Sequence, residues 1–270
     1  MLVPRPGWAE HGALHDWWGD FVHLCQTLLA QSNVDPKAIH AVVTSAIGPC
    51  MLPENAAGTP LKNGGLYRVD GRASAEIATL NAALGEDAIL GRAGNALTSQ
   101  SVGPKILWLR RNHPDIWAKS ATILTSTSFL VHRLTGQMVI DHHTEDSVSP
   151  LYDFDAQDWA DDLAGICDHA HLPRLMWSTE IAGQITAKTA RDTEIINLTS
   201  LFSLDCMCHA PNMLVWLVGR HGLCAELLLC RSWVAVLAFL RSKIWVWGSM
   251  AKVHISDLPS LTVPRKVCTA

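Results

Sequence analysis

The sequence lacks a basic cluster, a signal peptide and an apolar run long enough to cross a membrane. Its 21 lysines and arginines are outnumbered by 25 aspartates and glutamates, which gives no reason to expect a nucleic-acid partner. Pro4, Pro6 and Glu10 interrupt the N-terminal segment where a signal peptide would be apolar. Arg220 and Arg231 divide the apolar residues of the C-terminal part into pieces too short to span a bilayer. We therefore expect a cytoplasmic protein without membrane contact.

The sequence is rich in apolar residues, and its charge balance and cysteine content change near Ala190. Hydrophobic residues make up 49% of the 270 residues, which is ample for a core. Up to Ala190 there are 13 basic and 20 acidic residues, whereas from Arg191 onward there are 8 and 5. Five of the eight cysteines also follow Ala190, and we expect all eight to be thiols in a reducing compartment. The change suggests that the two parts differ in origin, through a shifted reading frame or an incorrect gene model.

The stretch from Leu97 to Asp141 carries the clearest pattern of secondary structure. Apolar residues recur at helical spacing on both sides of a break at 118–120, and the second run stops at Gly136. This pattern predicts a helix, a loop, a second helix and a short strand. Around it we expect a buried strand over 39–44 and helices over 15–31 and 73–84. We also expect an excursion over 49–70 that prolines and glycines interrupt, a loop over 91–100 and a strand over 183–189.

Three motifs between Lys105 and Asp141 resemble the N-terminal domain of the FGGY carbohydrate kinases. They read K-I-L-W-L-R-R-N, N-H-P-D-I-W and F-L-x-x-R-L-T-G-Q-x-V-I-D, and the resemblance extends from about Gly7, in G-W-A-E, to about Ala190. It implies an α/β fold, namely an incomplete ribonuclease H-like domain of the actin and hexokinase superfamily over residues 1–190. The segment 153–163 also resembles the family, which implies a helix anchored by Trp159. The tail over 191–270 is unrelated to the family, and we expect it to be mostly helical or disordered.

The resemblance also implies a reaction, the ATP-dependent phosphorylation of a sugar or polyol hydroxyl with magnesium. It places the family's D-x-G-T phosphate loop before Met1 and the catalytic aspartate of its G-T-x-D turn after Ala190. Because positioning and neutralising the phosphates supplies nearly all of this catalysis, we expect no catalytic residue in the chain as it stands, and little binding of ATP or magnesium. The alternative is a non-catalytic remnant that binds a polyol or pairs with an intact kinase subunit, as a homo- or heterodimer.

Asp70 and Arg72 are the first two residues that the resemblance assigns to the sugar site. The segment L-Y-R-V-D-G-R-A matches the family's W/Y-x-x-D-x-R-A. A carboxylate and a guanidinium one residue apart can bind vicinal hydroxyls, or they can form a local ion pair that caps the following helix. Where xylulose kinases carry Gln-Met-His-Gly, this chain has Ala46 to Pro49, which leaves the substrate class open.

Gln100 and Lys105 complete the predicted substrate site. Gln100 precedes Lys105 by five residues, at a position that lies near the substrate in relatives, and its amide can reach a hydroxyl or remain solvated in a loop. Lys105 shares a helix face with Trp108. It contacts substrate, stabilises a loop in the cleft, or is a solvated charge.

Two segments carry metal-binding residue types, but neither completes a site. His142 and His143 are adjacent, so on an extended strand they point to opposite faces. The segment from Cys206 to His209 has no second motif to supply four ligands. We therefore expect no metal centre.

Overall fold

The computed structural model describes the backbone of residues 1–32, 35–163, 165–166 and 171–195, followed by short strands between 200 and 254. Side chains are described up to residue 195, except at 38, 40, 45, 145 and 146. The segment from Cys206 to His209, for which no metal site was expected, lies outside the described residues. The architecture is α/β, with helices packed around short strands.

The N-terminal part supplies a helix and the strand that enters the largest sheet. Strand β1 (Glu10–His11) leads into a π-helical segment (Ala13–Gly19), helix α1 (Asp20–Ser32), a 3-10 turn (Pro36–Ala38) and strand β2 (Ile39–Ser45). The π-helical segment and α1 bury Trp17, Phe21 and Leu24, as the apolar stripe predicts. The predicted helix over 15–31 and the predicted buried strand over 39–44 are confirmed.

The excursion after β2 folds back on the N-terminal part. It contains β3 (Leu52–Glu54) and β4 (Gly64–Gly65), and β4 pairs antiparallel with β1. A Cβ on Gly64 would lie 2.3 Å from the indole of Trp17, so the close approach of these two elements requires glycine. Helices α2 (Ser74–Leu84) and α3 (Glu86–Ala93) follow. The predicted loop over 91–100 is wrong for its first three residues, which finish α3.

The central stretch has the predicted helices and final strand, but its first helical run is divided at His113 and a strand that was not predicted precedes the second helix. It contains α4 (Val102–Asn112), α5 (Pro114–Trp117), β5 (Thr122–Leu124), α6 (Ser126–Thr135) and β6 (Val139–Asp141). The hydroxyl of Thr125 accepts a hydrogen bond from the Ser128 amide and caps α6 at its N-terminus. Gly136, with φ of 76°, ends the same helix in the left-handed conformation.

Two predictions for the segment after β6 are wrong. The segment contains β7 (Tyr152–Asp153), β8 (Asp158–Trp159), β9 (Arg174–Met176) and α7 (Ala187–Thr193). A hairpin of β7 and β8 replaces most of the helix predicted over 153–163, because the Asp153 carboxylate accepts the amides of Asp155 and Ala156 and turns the chain. The strand predicted over 183–189 is absent: residues 183–186 are irregular, and 187–189 begin α7, which Thr186 caps by accepting from the Thr189 amide.

Beyond residue 195 the described residues form strands. They are β10 (Ser200–Ser203), β11 (Leu214–Gly219), β12 (Cys224–Leu229), β13 (Val234–Leu237), β14 (Phe239–Leu240), β15 (Lys243–Gly248) and β16 (Ala251–His254). The largest sheet has the order β10-β2-β11-β12-β13, in which β2 runs parallel to β10 and antiparallel to β11. For these described residues the helical alternative for the tail is therefore wrong, and the disordered alternative stays a prediction for the rest of the tail.

The buried apolar side chains form two clusters. One joins α1, α6 and β2 and includes Trp17, Phe21 and Phe129. The other surrounds α4 and includes Ile106 and Trp159. No helix in the described residues has the length and apolarity that crossing a membrane requires.

Candidate substrate site

Asp70 and Arg72 form a buried ion pair. The Nε of Arg72 lies 2.8 Å from Oδ1 and 2.9 Å from Oδ2 of Asp70, and the side chains of both residues are fully buried. The amide of Ala9 donates to Oδ2 of Asp70 at 2.9 Å. The second guanidinium nitrogen, Nη2, donates to Asp70 and also to Oε1 of Glu10 at 2.8 Å. The two residues thus adopt the local ion-pair geometry, extended by a carboxylate that the sequence did not point to.

Two indole rings enclose this ion pair. The guanidinium carbon of Arg72 lies 4.3 Å from the ring centroid of Trp8 and 5.1 Å from that of Trp108. Burial works against the charge of Arg72, but the hydrogen bonds and charges of Asp70 and Glu10 outweigh it and raise its pKa. Arg72 is therefore a permanent cation, and its Nη1 is buried without a hydrogen-bond partner among the described residues.

Lys105 is buried beside this ion pair on helix α4. Only 1% of the residue is exposed, so the solvated alternative is wrong. Its Nζ donates to the carbonyl oxygen of Leu66 at 2.7 Å. Burial lowers the pKa of Lys105 to about 8, although the carboxylate of Asp70 acts in the opposite direction. Lys105 therefore anchors the segment that leads to Asp70 and can lose its proton near neutral pH.

Two neighbouring pockets gather the predicted site residues. The smaller pocket, about 30 Å³, is lined by Asp70 and Lys105 together with Gly71, Ala73, Ser74, Ile77, Thr98, Ser99 and Ser101. The larger pocket, about 270 Å³, is lined by Gln100 together with Asn95, Ala96, Thr98, Ser101, Ser147 and Ser149. Thr98 and Ser101 belong to both linings. The structure thus brings Asp70, Arg72 and Lys105 into direct proximity and places Gln100 in the adjoining pocket.

Sequence reasoning missed three contributors to this region. Glu10 and Trp8 contact Arg72 across about sixty residues, and Ser149 reaches the larger pocket from the loop after β6. Glu10 and Trp8 stand in G-W-A-E, which the resemblance includes, so that motif could have pointed to them. Ser149 carries no comparable signal.

The divergent segment from Ala46 to Pro49 lies against the aromatic residue of the motif. A Cβ on Gly48 would approach the ring of Tyr67 to 3.3 Å, so the ring packs on the glycine backbone. The Ala46 amide donates to Oγ1 of Thr127 at 3.0 Å. This segment therefore offers its backbone and apolar side chains at a place where xylulose kinases carry polar ones.

The described residues include no group of three or more His, Cys, Asp or Glu side chains that could hold a metal ion. Nδ1 of His142 lies 3.0 Å from the hydroxyl of Tyr152, and the imidazole stacks on Trp177 at 4.3 Å. The larger pocket also has no cation among its described lining residues. Its lining does not fit a triphosphate, whose charge requires cationic or metal partners.

Comparison with known proteins identifies the family. The profile of the FGGY family of carbohydrate kinases, N-terminal domain, matches residues 1–200. The chain belongs to the FGGY family. A glycerol kinase of Nocardia farcinica is 29% identical to this FGGY chain over 196 residues, which is 69% of this chain and 38% of the relative. A xylulose kinase of Escherichia coli is 25% identical over 191 residues, or 70% and 38% of the two chains.

Solved structures show the same fold. The xylulose kinase from Rhodospirillum rubrum superposes with a TM-score of 0.70 at 24% identity, covering 76% of this FGGY chain and 42% of that protein. A gluconate kinase from Lactobacillus acidophilus gives a TM-score of 0.67 at 16% identity, covering 76% and 41%. The fold is therefore that of the actin- and hexokinase-like sugar kinases. The FGGY chain spans about two fifths of the length of the relatives it matches.

Proposed function

We propose that residues 1–190 form the polyol-binding part of an FGGY carbohydrate kinase domain, an incomplete ribonuclease H-like unit. The family reaction is the phosphorylation of a sugar or polyol hydroxyl by ATP with magnesium. The supporting observation is the larger pocket, which the Gln100 amide lines together with several hydroxyl groups, beside the smaller pocket that Asp70 and Lys105 line from buried positions. Neutral groups that donate and accept hydrogen bonds side by side suit a ligand with several hydroxyls.

We further propose that the 270-residue polypeptide binds a polyol without phosphorylating it. The sequence contains neither a D-x-G-T loop nor a G-T-x-D turn, and the described pocket lining does not fit a triphosphate. Phosphoryl transfer depends on charge neutralisation around the phosphates. Asp70 cannot serve as the general base in the geometry seen, because both of its oxygens accept from Arg72.

We also propose that residues 191–270 are a tail of different origin. The chain is further proposed to pair with itself or with an intact kinase subunit. Its cytoplasmic location stays a prediction. Sequencing the coding DNA and transcript would test the tail, because a second reading frame that restores a G-T-x-D turn would identify a frame shift.

Isothermal titration calorimetry of the purified 270-residue protein tests the proposed function. The panel contains glycerol, xylitol and D-xylulose, and a coupled ADP-release assay with the same compounds tests catalysis. We expect binding of at least one compound and no ADP release above the rate without polyol. Absence of binding by the whole panel would contradict the proposed function, and polyol-dependent ADP release would contradict the proposed inactivity.

A further inference from the structure

The Ser149 hydroxyl is buried without a hydrogen-bond partner among the described residues, and Ser149 is one of the residues that line the larger pocket. Ser149 is 1% exposed, and its Oγ makes no hydrogen bond to any described residue. Buried hydroxyl groups are usually paired, since leaving one unpaired costs free energy. Because Ser149 also lines the larger pocket, a ligand hydroxyl in that pocket is the natural partner for this atom.

The described lining of the larger pocket is polar but uncharged. Hydroxyls and amides make up all of it except one alanine, and such groups both donate and accept hydrogen bonds. A polyol presents the same mixture of donors and acceptors. A carboxylate or phosphate would lose its hydration there without meeting a cation, which is strongly unfavourable.

Both walls of the larger pocket are held in place by other contacts. On one side, the Thr98 amide donates to Oγ of Ser101, and the Gln100 amide donates to Oγ1 of Thr98, both at 3.1 Å. On the other side, a Cβ on Gly103 would lie 2.5 Å from the carbonyl oxygen of Ser149, so α4 packs directly on the Ser149 backbone. The walls are thus positioned before a ligand arrives, which favours selectivity.

We propose that the larger pocket is a selectivity site that accepts the uncharged, hydroxyl-bearing part of the substrate and rejects acidic or phosphorylated sugars. The Ser149 hydroxyl and the Gln100 amide are its main contacts. This inference rests on the proposed function and refines it, because the FGGY family includes kinases for acidic as well as neutral sugars. The smaller pocket, which shares Thr98 and Ser101, lies next to it.

Calorimetry with xylitol and D-xylonate tests the inference, because the two compounds have the same carbon skeleton and differ in charge. We expect the wild-type chain to bind xylitol at least ~10-fold more tightly than xylonate. Ser149→Ala and Gln100→Ala should each weaken xylitol binding about 3- to 10-fold, the loss of one neutral hydrogen bond. Ala96→Lys, which adds a cation to the lining at an exposed position, should shift the preference towards xylonate by ~10-fold or more.

Thr79→Ala is the matched control, since Thr79 is exposed on α2 and its hydroxyl donates to the Ala75 carbonyl of the same helix. It should leave both affinities unchanged. If the wild type binds xylitol but none of the three pocket variants changes either affinity, the selectivity site is wrong and the proposed function stands. If the wild type binds xylonate as tightly as xylitol, the inference is also wrong. If no polyol binds the wild type, both the inference and the proposed function are wrong.

Discussion

The Nζ of Lys105 donates a 2.7 Å hydrogen bond to the carbonyl oxygen of Leu66, across 39 residues of sequence. The bond joins the first turn of α4 to the segment that carries Asp70 and Arg72. A buried ammonium with one backbone partner loses more hydration than a single neutral acceptor restores. Burial therefore disfavours the charged form of Lys105, whereas the nearby carboxylate of Asp70 favours it.

Lys105→Met should change the pH dependence of stability. The pKa of Lys105 is about 8 in the folded chain and near 10.5 when unfolded, so between these values the unfolded chain binds the extra proton. The unfolding free energy of the wild type therefore rises with pH across this window. Relative to Lys105→Met, the wild type should gain ~2 kcal/mol between pH 7 and 9.5, measured by urea unfolding. Lys119→Met, at an exposed position, is the control, and parallel curves for wild type and Lys105→Met would contradict the prediction.

Arg72→Met should destabilise the domain strongly. The substitution leaves the buried carboxylates of Asp70 and Glu10 without their cation, a loss of ~3–5 kcal/mol in unfolding free energy. Arg92→Met is the matched control, because it breaks the largely exposed pair with Asp162 and should cost ~1 kcal/mol or less. Chemical denaturation of both variants measures the difference. Similar midpoints would show that Arg72 is not buried as described.

Gly103→Ala should destabilise the packing of α4 on the loop after β6. A Cβ there would lie 2.5 Å from the carbonyl oxygen of Ser149 and 2.9 Å from Cδ of Pro150, so the backbone has to move, at a cost of ~1–3 kcal/mol. Gly91→Ala in α3 meets nothing within 4 Å and should stabilise by ~0.5–1 kcal/mol. Thermal unfolding of the two variants should therefore shift in opposite directions, and a stabilising Gly103→Ala would contradict the structure.

The sequence predicted the fold best where local signals and motif agreed. Thr125 and Gly136 mark both ends of α6, because a capping hydroxyl and a left-handed glycine act within a few residues. The helix expected around Trp159 in the segment 153–163 rested on the family resemblance alone, and it failed because the Asp153 carboxylate, a local signal, turns the chain into a hairpin. The strand predicted over 183–189 failed in the same way, since Thr186 caps a helix instead.

In the candidate site, too, the residues that a motif marks could be predicted, whereas the contacts between distant segments could not. The motif K-I-L-W-L-R-R-N marks Lys105 as a candidate, and Gln100 follows only from its position five residues earlier, so their assignment to the substrate stays a prediction. The structure of the ion pair could not be predicted from spacing, since Glu10 and the two indoles reach Arg72 only through tertiary packing. Ser149 was identified because its buried hydroxyl has no hydrogen-bond partner among the described residues. A missing partner depends on tertiary packing and cannot be predicted from the sequence.

Cys25 offers a chemical test of whether the 270-residue chain forms the described core. Its side chain is fully buried in α1, and burial raises the pKa of its thiol well above the usual range. Because the thiolate is the reactive form, iodoacetamide should modify Cys25 at least ~100-fold more slowly in the native protein than in urea, as read from the tryptic peptide by mass spectrometry. A slow native reaction means that α1 stays packed against α6 and β2 in this chain by itself. Comparable rates in the two conditions would mean that it does not. The substrate site, whose ion pair depends on Ala9 and Glu10 at β1, would then lose the support of the neighbouring core.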